Sequence, residues 1–389
     1  MSMKKIFLLL LSVAMIQQLS AQSLLSVYSA ILGEDRPVTI ILPESYRDTT
    51  IAPASYPVLY LFDGEWNTTH AAAIVQHLSK GMYAMIPEMI VVGIHNTART
   101  RDLTPTHAPT TRPGKKGTLY SESGGGEKFI SFLEQELIPY VRKNYRTSGY
   151  QVLSGHSFGG LATMNIIMHH TALFNACIAI DPSMWWEEER FLDGFPAVLQ
   201  QQDMKGRKLF VAEANKVAIP QDTTTDHPRA IKRLANEILP LSAASGLQWK
   251  HKFYPEEDHG SIPLPALYDG LKFVFNGYQT QVKQVADDYE LYLRNYAAIS
   301  KSNGFVFKPA ESLTYAIGQY ALSQQKPAAI NFLLLNVQQY PSSIPAHLAL
   351  AAAYLRLQQP AAALNTYRKA LQLAPDNGFV KEKIRELGR

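Results

Sequence analysis

Apolar and polar positions alternate along residues 24–43, LLSVYSAILGEDRPVTIILP, with β-branched side chains among them. That alternation predicts antiparallel strands at the start of a sheet. Further on the pattern changes. Val58 to Phe62, in YPVLYLFDGEWN, is a continuous apolar run that stops at the turn signal Asp63-Gly64. MIVVGIHN (89–96) is a second such run, and TTHAAAIVQHLSKG between them has helical spacing. Short unbroken apolar runs bounded by turn residues read as buried strands. QVLSGHSFGG, FNACIAIDPS, RKLFVAEANK and QWKHKFYPEEDHG each carry another. GEKFISFLEQELIPYVRKNY, LATMNIIMHH and HPRAIKRLANEILPLSAAS, lying among them, are helix-like. Strands alternating with helices predict an α/β fold around a mainly parallel sheet.

After about residue 285 no β-rich run remains, and Ala, Leu, Gln and Tyr dominate. PAHLALAAAYLRLQQPAAALNTYRKALQLAPDN resembles a tetratricopeptide repeat, with Leu350, Ala351, Tyr354, Ala363, Tyr367, Ala370 and Pro375 at its apolar, small and proline positions. One repeat length earlier stand Ala316, Ile317, Tyr320, Ala329, Leu333, Asn336 and Pro341, a weaker copy in phase. Small residues let two helices cross closely, and the proline ends the second helix. About three repeats are needed for a stable stack. The region is therefore expected to pack on the preceding domain, as a cover for its pocket, or on a second copy as a homodimer. The expected division is a leader over 1–21, an α/β domain over 22–285 and a helical region over 286–389.

The first residues, MSMKKIFLLLLSVAMIQQLSAQS, place two lysines before an apolar run from Ile6 to Ile16 and a small-residue exit at Ser20-Ala21. That is the order of a secretory signal peptide, predicting a periplasmic or secreted protein. The run is short of the roughly 20 residues a membrane span needs. The single cysteine, Cys177, allows no intrachain disulfide, and its apolar neighbours FNACIAI suit a buried small side chain. A net charge of +4 over 389 residues, with no concentrated basic stripe, gives no footprint for nucleic acid.

The chemistry centres on Gly155-His156-Ser157-Phe158-Gly159, between the strand-like VLS and the helical GLATMNIIMHH. G-x-S-x-G in that context is a nucleophile elbow: a strained turn that lifts the serine hydroxyl above the sheet edge. A serine nucleophile needs a base, and in this topology the order is Ser, acid, His. Of the later histidines, His169 and His170 end the elbow's helix, His251 lies within a strand and His227 opens a helix. His259, in the polar loop PEEDHGSIP after the last strand, is the expected base. The orienting acid is expected after RKLFVA: Glu213 first, Asp222 and Asp226 as alternatives, or none in a Ser-His dyad. Asp258 reads as a solvated loop charge. The oxyanion hole is expected from the N–H groups of Phe158 and of Gly64 or its neighbour Glu65. Asp63 reads as a turn residue bonded within its own loop. Arg101, near Arg99 and Asp102, is a candidate to hold an anionic or catecholate substrate. Trp185 and Trp186, in DPSMWWEEE, are candidates for an aromatic wall.

FDGEWN, NTARTRDLTPTH, SGHSFGG and YPEEDHGSIPLPALYDGL together resemble the esterase D-type esterases of the α/β-hydrolase superfamily, with the nearest likeness to the IroE-like and Fes-like siderophore esterases. The resemblance spans roughly residues 24–278. It implies a Ser-His hydrolase acting on a small-molecule ester with neither metal nor organic cofactor, and it carries directly onto Ser157 and His259. VAEANK does not match the family's acid loop, and the helical tail is an addition. Siderophore, feruloyl, acetyl and lipid-like esters all remain open as substrates, as do acyl transfer and a repeat-mediated interaction protein on an inactive scaffold.

Overall fold

The structure, a computed structural model, describes residues 22–108, 110–112, 115–116, 120–215 and 226–388. The expected leader and Asp222 lie outside the described residues. Two compact units emerge. One comprises residues up to 44, 56–77 and 88–274; the other holds 45–55, 78–87 and 275–389. The helical unit thus starts before 286 and takes in two excursions from the first half of the chain.

The first unit is built on an eight-stranded sheet. Its strands are β1 (Gln22–Ser29), β2 (Glu34–Ile41), β3 (Tyr56–Leu61), β4 (Ile90–Ile94), β5 (Thr147–His156), β6 (Ala176–Ile180), β7 (Lys208–Ala214) and β8 (Gln248–Tyr254). Their order across the sheet is β1-β2-β4-β3-β5-β6-β7-β8. β1 pairs with β2, and β2 with β4, antiparallel; every later pairing is parallel. The burial pattern follows from this arrangement. β3, β4, β6 and β7 are buried along their whole length, as strands covered on both faces must be. β1 and β8 are the edges: Leu24 and Tyr28 reach solvent on β1, and Gln248, Lys250 and Phe253 on β8. Cys177, inside β6, is fully buried, and burial pushes its thiol up.

Helix α1 (Gly64–Ser79) follows β3 and α2 (Phe158–His169) follows β5. Phe158 through Met168 are all buried, so α2 is a core helix that holds the elbow rigidly. After the described chain resumes, α3 (Asp226–Arg233) precedes β8, and α4 (Pro263–Val274) follows it. α4 packs on β6 and β7. Its Gly270 lies so close to β6 that a Cβ there would sit 2.7 Å from Ile178 Cγ2.

The helical unit contains α5 (Val282–Asp287), α6 (Tyr289–Asn303), α7 (Glu311–Ser323), α8 (Ala329–Gln339), α9 (Ile344–Arg356), α10 (Pro360–Leu373) and α11 (Gly378–Leu387). α7 packs with α8, and α9 with α10. Ala351, Ala363, Tyr367, Ala370 and Val380 form one buried cluster, so the small residues sit where helices meet. Glu311 at the start of α7 is buried, accepts the Ala52 N–H at 2.8 Å and bonds the Ser343 hydroxyl.

Candidate active site

Three neighbouring strands, β3, β5 and β6, each run out at their carboxyl ends into a non-glycine residue with positive φ. These are Asp63 (φ 55), Ser157 (φ 59) and Asp181 (φ 41). Such backbone is costly for a side-chain-bearing residue and persists only where the surroundings impose it. Here the sheet does so: Ser157 N donates to Ile180 O at 3.0 Å, and Asp181 N donates to Ala212 O at 2.8 Å. The elbow's first glycine is obligatory, since a Cβ on Gly155 would lie 2.2 Å from Gly159 O. Gly159 is tight rather than closed, with Phe62 Cβ 3.2 Å from the added atom. Ser157 Oγ has Ser183 Oγ as its hydrogen-bond partner, at 3.4 Å.

His259 reaches this edge from the β8–α4 loop. Asp258 organises that loop by accepting the N–H groups of Gly260 (2.7 Å) and Ser261 (2.8 Å). Asn215, just after β7, ties it down by donating its backbone N–H to Glu257 O and its side chain to Pro255 O. His259 Nδ1 then meets Asp181 Oδ2 at 2.5 Å. The same oxygen takes His227 Nε2 at 2.9 Å, and Oδ1 takes the Ala214 N–H at 2.9 Å. Burial works against ionising Asp181, but these bonds and the nearby histidine charge prevail and hold its carboxyl well below the usual carboxylate range. Among the described residues, Asp181, His227 and His259 are also a group with metal-ligand spacing, their ligand atoms lying within 4.8 Å of one another.

Glu213 does not take the place expected for it. It lies inside β7, on the same sheet face as His251 of β8, and Glu213 Oε2 is 2.9 Å from His251 Nε2. The ring nitrogen is not aligned to donate a hydrogen bond, so this is an ion-pair distance only. The carboxylate next to His259 is Asp181, one strand earlier. Asp226 is at the start of α3 and pairs with Arg229 at 2.9 Å.

His156, inside the elbow, packs against His259 with ring centroids 4.4 Å apart and the rings tilted by 43°. Burial, and then the charge of His259, lower its pKa to about 4. Phe158 and Gly64 stand at the first residues of α2 and α1, where backbone N–H groups lie outside the helical ladder and the helix dipole is positive. Gly64 can only be glycine, because a Cβ would lie 2.4 Å from Gly93 C of β4.

Asp63 is buried. Its carboxylate accepts Arg99 Nε at 2.6 Å, Arg99 Nη2 at 3.0 Å and Asn96 Nδ2 at 2.7 Å. Its own carbonyl accepts the Trp66 and Asn67 N–H groups. Arg99 therefore braces the loop that starts α1, and its guanidinium also sits 5.6 Å from the Phe158 ring centre. Arg101 is placed differently from its expected substrate-holding role. It donates to Glu34 through Nη1 (3.1 Å) and Nη2 (2.7 Å) and to Asp102 through Nε (2.7 Å). Asp102 is buried and also bonded by Arg36 at 2.6 Å. The arginine beside the elbow is Arg99.

Trp186 is 1% exposed, with Nε1 donating to Thr106 Oγ1 at 2.9 Å. Trp185 is half-buried. Phe158, Tyr120, Trp185 and Trp186 form one aromatic cluster with ring centres 5.4–6.2 Å apart. Of the pair, Trp185 is the ring left facing outward beside Phe158.

A strained serine on an elbow, a histidine from the last loop and a buried carboxylate behind it define the serine-hydrolase class of α/β proteins. The sequence model of the family described as "Putative esterase" matches residues 29–259, well over half of the chain. The chain belongs to that esterase family. A solved IroE-like serine hydrolase from Shewanella oneidensis is 33% identical, with a TM-score of 0.75 over 82% of this chain and 99% of the other. The ferri-bacillibactin esterase BesA of Bacillus subtilis is 31% identical over 44% of this chain and 60% of its own length, so the match leaves a substantial part of that relative uncovered. A siderophore triacetylfusarinine C esterase of Aspergillus fumigatus is 26% identical over 62% of this chain and 89% of its own.

Proposed function

We propose that the chain is a serine carboxylester hydrolase that opens siderophore-type esters, with Ser157 as nucleophile, His259 as base and Asp181 as the orienting carboxylate. The observation that carries this reading is the 2.5 Å bond from His259 Nδ1 to Asp181. It fixes the ring proton on Nδ1 and leaves Nε2 as a proton acceptor. Ser157 Oγ attacks the ester carbonyl carbon as its proton passes to His259 Nε2. The tetrahedral oxyanion is met by the N–H groups of Phe158 and Gly64. Collapse expels the alcohol, which takes the proton from His259. A water then gives a proton to His259, attacks the acyl-serine, and releases the acid and free Ser157. The 3.4 Å contact of Ser157 with Ser183 is weak enough to yield to a bound substrate, since catalytic hydrogen bonds tighten in the Michaelis complex.

The substrate class rests on the activities for which the relatives are named and on the aromatic cluster beside Phe158, where Trp185 can stack on a flat acyl group. Export is part of the proposal and rests on the leader-like pattern of residues 1–21; among the described residues no helix is long and apolar enough to cross a membrane. The helical unit is read as a tetratricopeptide-like module that pairs two copies of the chain. Val306, Leu357, Leu373 and Phe379 are among its exposed apolar side chains, and light scattering of wild type and Phe379→Ser tests the pairing. The function itself is tested by hydrolysis of a p-nitrophenyl acyl series and a catecholate trilactone. Turnover by wild type and none by Ser157→Ala is expected; retained turnover in the variant, or none in wild type, refutes the reading.

A further inference from the structure

Asp181 serves two histidines with one oxygen. A triad needs only the bond to His259; the bond from His227 Nε2, at 2.9 Å, is additional. His227 arrives from the start of α3, and its ring stands edge-on to that of His259 with centroids 5.4 Å apart. Two imidazole nitrogens and one carboxylate oxygen converge within 4.8 Å. That N,N,O set is the donor chemistry of zinc and its neighbours.

We propose that a zinc-type divalent cation binds Asp181, His227 and His259 and switches ester hydrolysis off. The proposal rests on reading His259 as the base. Zinc holds such ligands at about 2.0–2.2 Å in a tetrahedron, which sets ligand atoms roughly 3.3 Å apart. The two nitrogens now lie 2.5 and 2.9 Å from Asp181 Oδ2. Each therefore has to back away by less than about 1 Å. Both rings have room to do so, His259 being 45% and His227 25% exposed. Asp181, 2% exposed, stays anchored through Oδ1 on the Ala214 N–H. The exposed rings also give the ion an entry path and leave a fourth position for water.

Inhibition follows from the tautomer. The cation takes the lone pairs of His259 Nδ1 and His227 Nε2 in place of the protons those atoms carry as donors to Asp181. In each neutral ring the remaining proton then sits on the opposite nitrogen. For His259 that nitrogen is Nε2, and an Nε2–H cannot accept the Ser157 proton. The site thus competes with catalysis for one atom's protonation state.

The test uses the full chain, freed of metal with a chelator and titrated with zinc by calorimetry, and with cobalt(II) by visible absorption. One ion per chain is expected in wild type and in Ser157→Ala, with a tetrahedral cobalt spectrum. His227→Ala, His259→Ala and His227→Gln, the last still able to donate to Asp181, lose affinity by more than about 10-fold, the least that disturbing a metal ligand's support costs. His170→Ala, outside the cluster, binds as wild type. In parallel, wild-type hydrolysis falls as the site fills and returns with chelator. Zinc binding by Ser157→Ala separates this proposal from the serine mechanism, because it needs no turnover. Absence of stoichiometric binding below roughly 1 mM zinc, binding that survives His227→Ala, or a filled site with full activity each overturns it.

Discussion

Asp181 and His259 are 78 residues apart in the chain and 2.5 Å apart in the fold. The carboxylate belongs to the end of β6, and the histidine to the loop after β8. β7 lies between them in the sheet, and its last residue gives Asp181 the Ala214 N–H. That one contact sets the tautomer of His259, and most of what the site is expected to do depends on it.

Arg99→Ala should lower kcat by about 10- to 100-fold with a smaller change in KM. It releases Asp63, and with it the turn that starts α1, where the proposed mechanism places the Gly64 N–H against the developing oxyanion, an interaction made mainly in the transition state. Steady-state kinetics on a p-nitrophenyl ester checks the split. A change confined to KM would assign Arg99 to substrate binding instead.

Arg101→Ala should leave KM unchanged and cost about 1 kcal/mol of stability, because its partners Glu34 and Asp102 keep Arg36. Denaturant unfolding alongside kinetics reads both. A several-fold rise in KM for an anionic ester would restore the substrate-holding role.

The two tryptophans should separate cleanly. Trp186→Ala removes a fully buried ring and should destabilise the protein by about 3–5 kcal/mol. Trp185→Ala should keep the fold and raise KM for aryl-acyl esters several-fold more than for acetate. Equal effects on both esters would remove Trp185 from the pocket.

The strands were legible because fully buried parallel strands are unbroken apolar runs, as ACIAI and VLYL show. The elbow was legible because its glycines answer steric demands that leave a pattern, Gly155 above all. That a histidine from the loop after β8 comes to this sheet edge followed from chain order. Asp181 did not, for a physical reason: in IDPS it has the look of an ordinary strand-ending turn, and chain order points to the next strand, where Glu213 lies. Glu213 is strand-embedded and faces His251, a pairing that depends on the β7–β8 register and leaves no local mark. An acidic residue at the carboxyl end of the strand beside the elbow was the available signal, since ligand sites of such sheets lie there. Arg99 and Arg101 could not be told apart because only folding decides which one meets Asp63.

His156 predicts an acid sensitivity. Its folded pKa is lowered from 6.5 to about 4, so the neutral form contributes stability that is complete above the unfolded value. That contribution is lost as pH falls from 6.5 towards 4, where the unfolded chain takes up a proton and the folded one does not. The gap corresponds to about 3 kcal/mol. His156→Asn should flatten the loss of unfolding free energy between pH 6.5 and 4. An unchanged slope would show that the buried ring titrates normally. Asp181, also depressed, adds its own loss only below its ordinary range near 3.8.

The most direct measurement compares Asp181→Asn with Glu213→Gln on one ester at neutral pH. Asn keeps the shape of Asp181 but lets His259 adopt the wrong tautomer, and kcat should fall by roughly 10³- to 10⁴-fold. Glu213→Gln should stay within about tenfold of wild type, losing only its contact with His251. A large loss in Glu213→Gln with Asp181→Asn near wild type would contradict the assignment of Asp181 as the carboxylate behind His259.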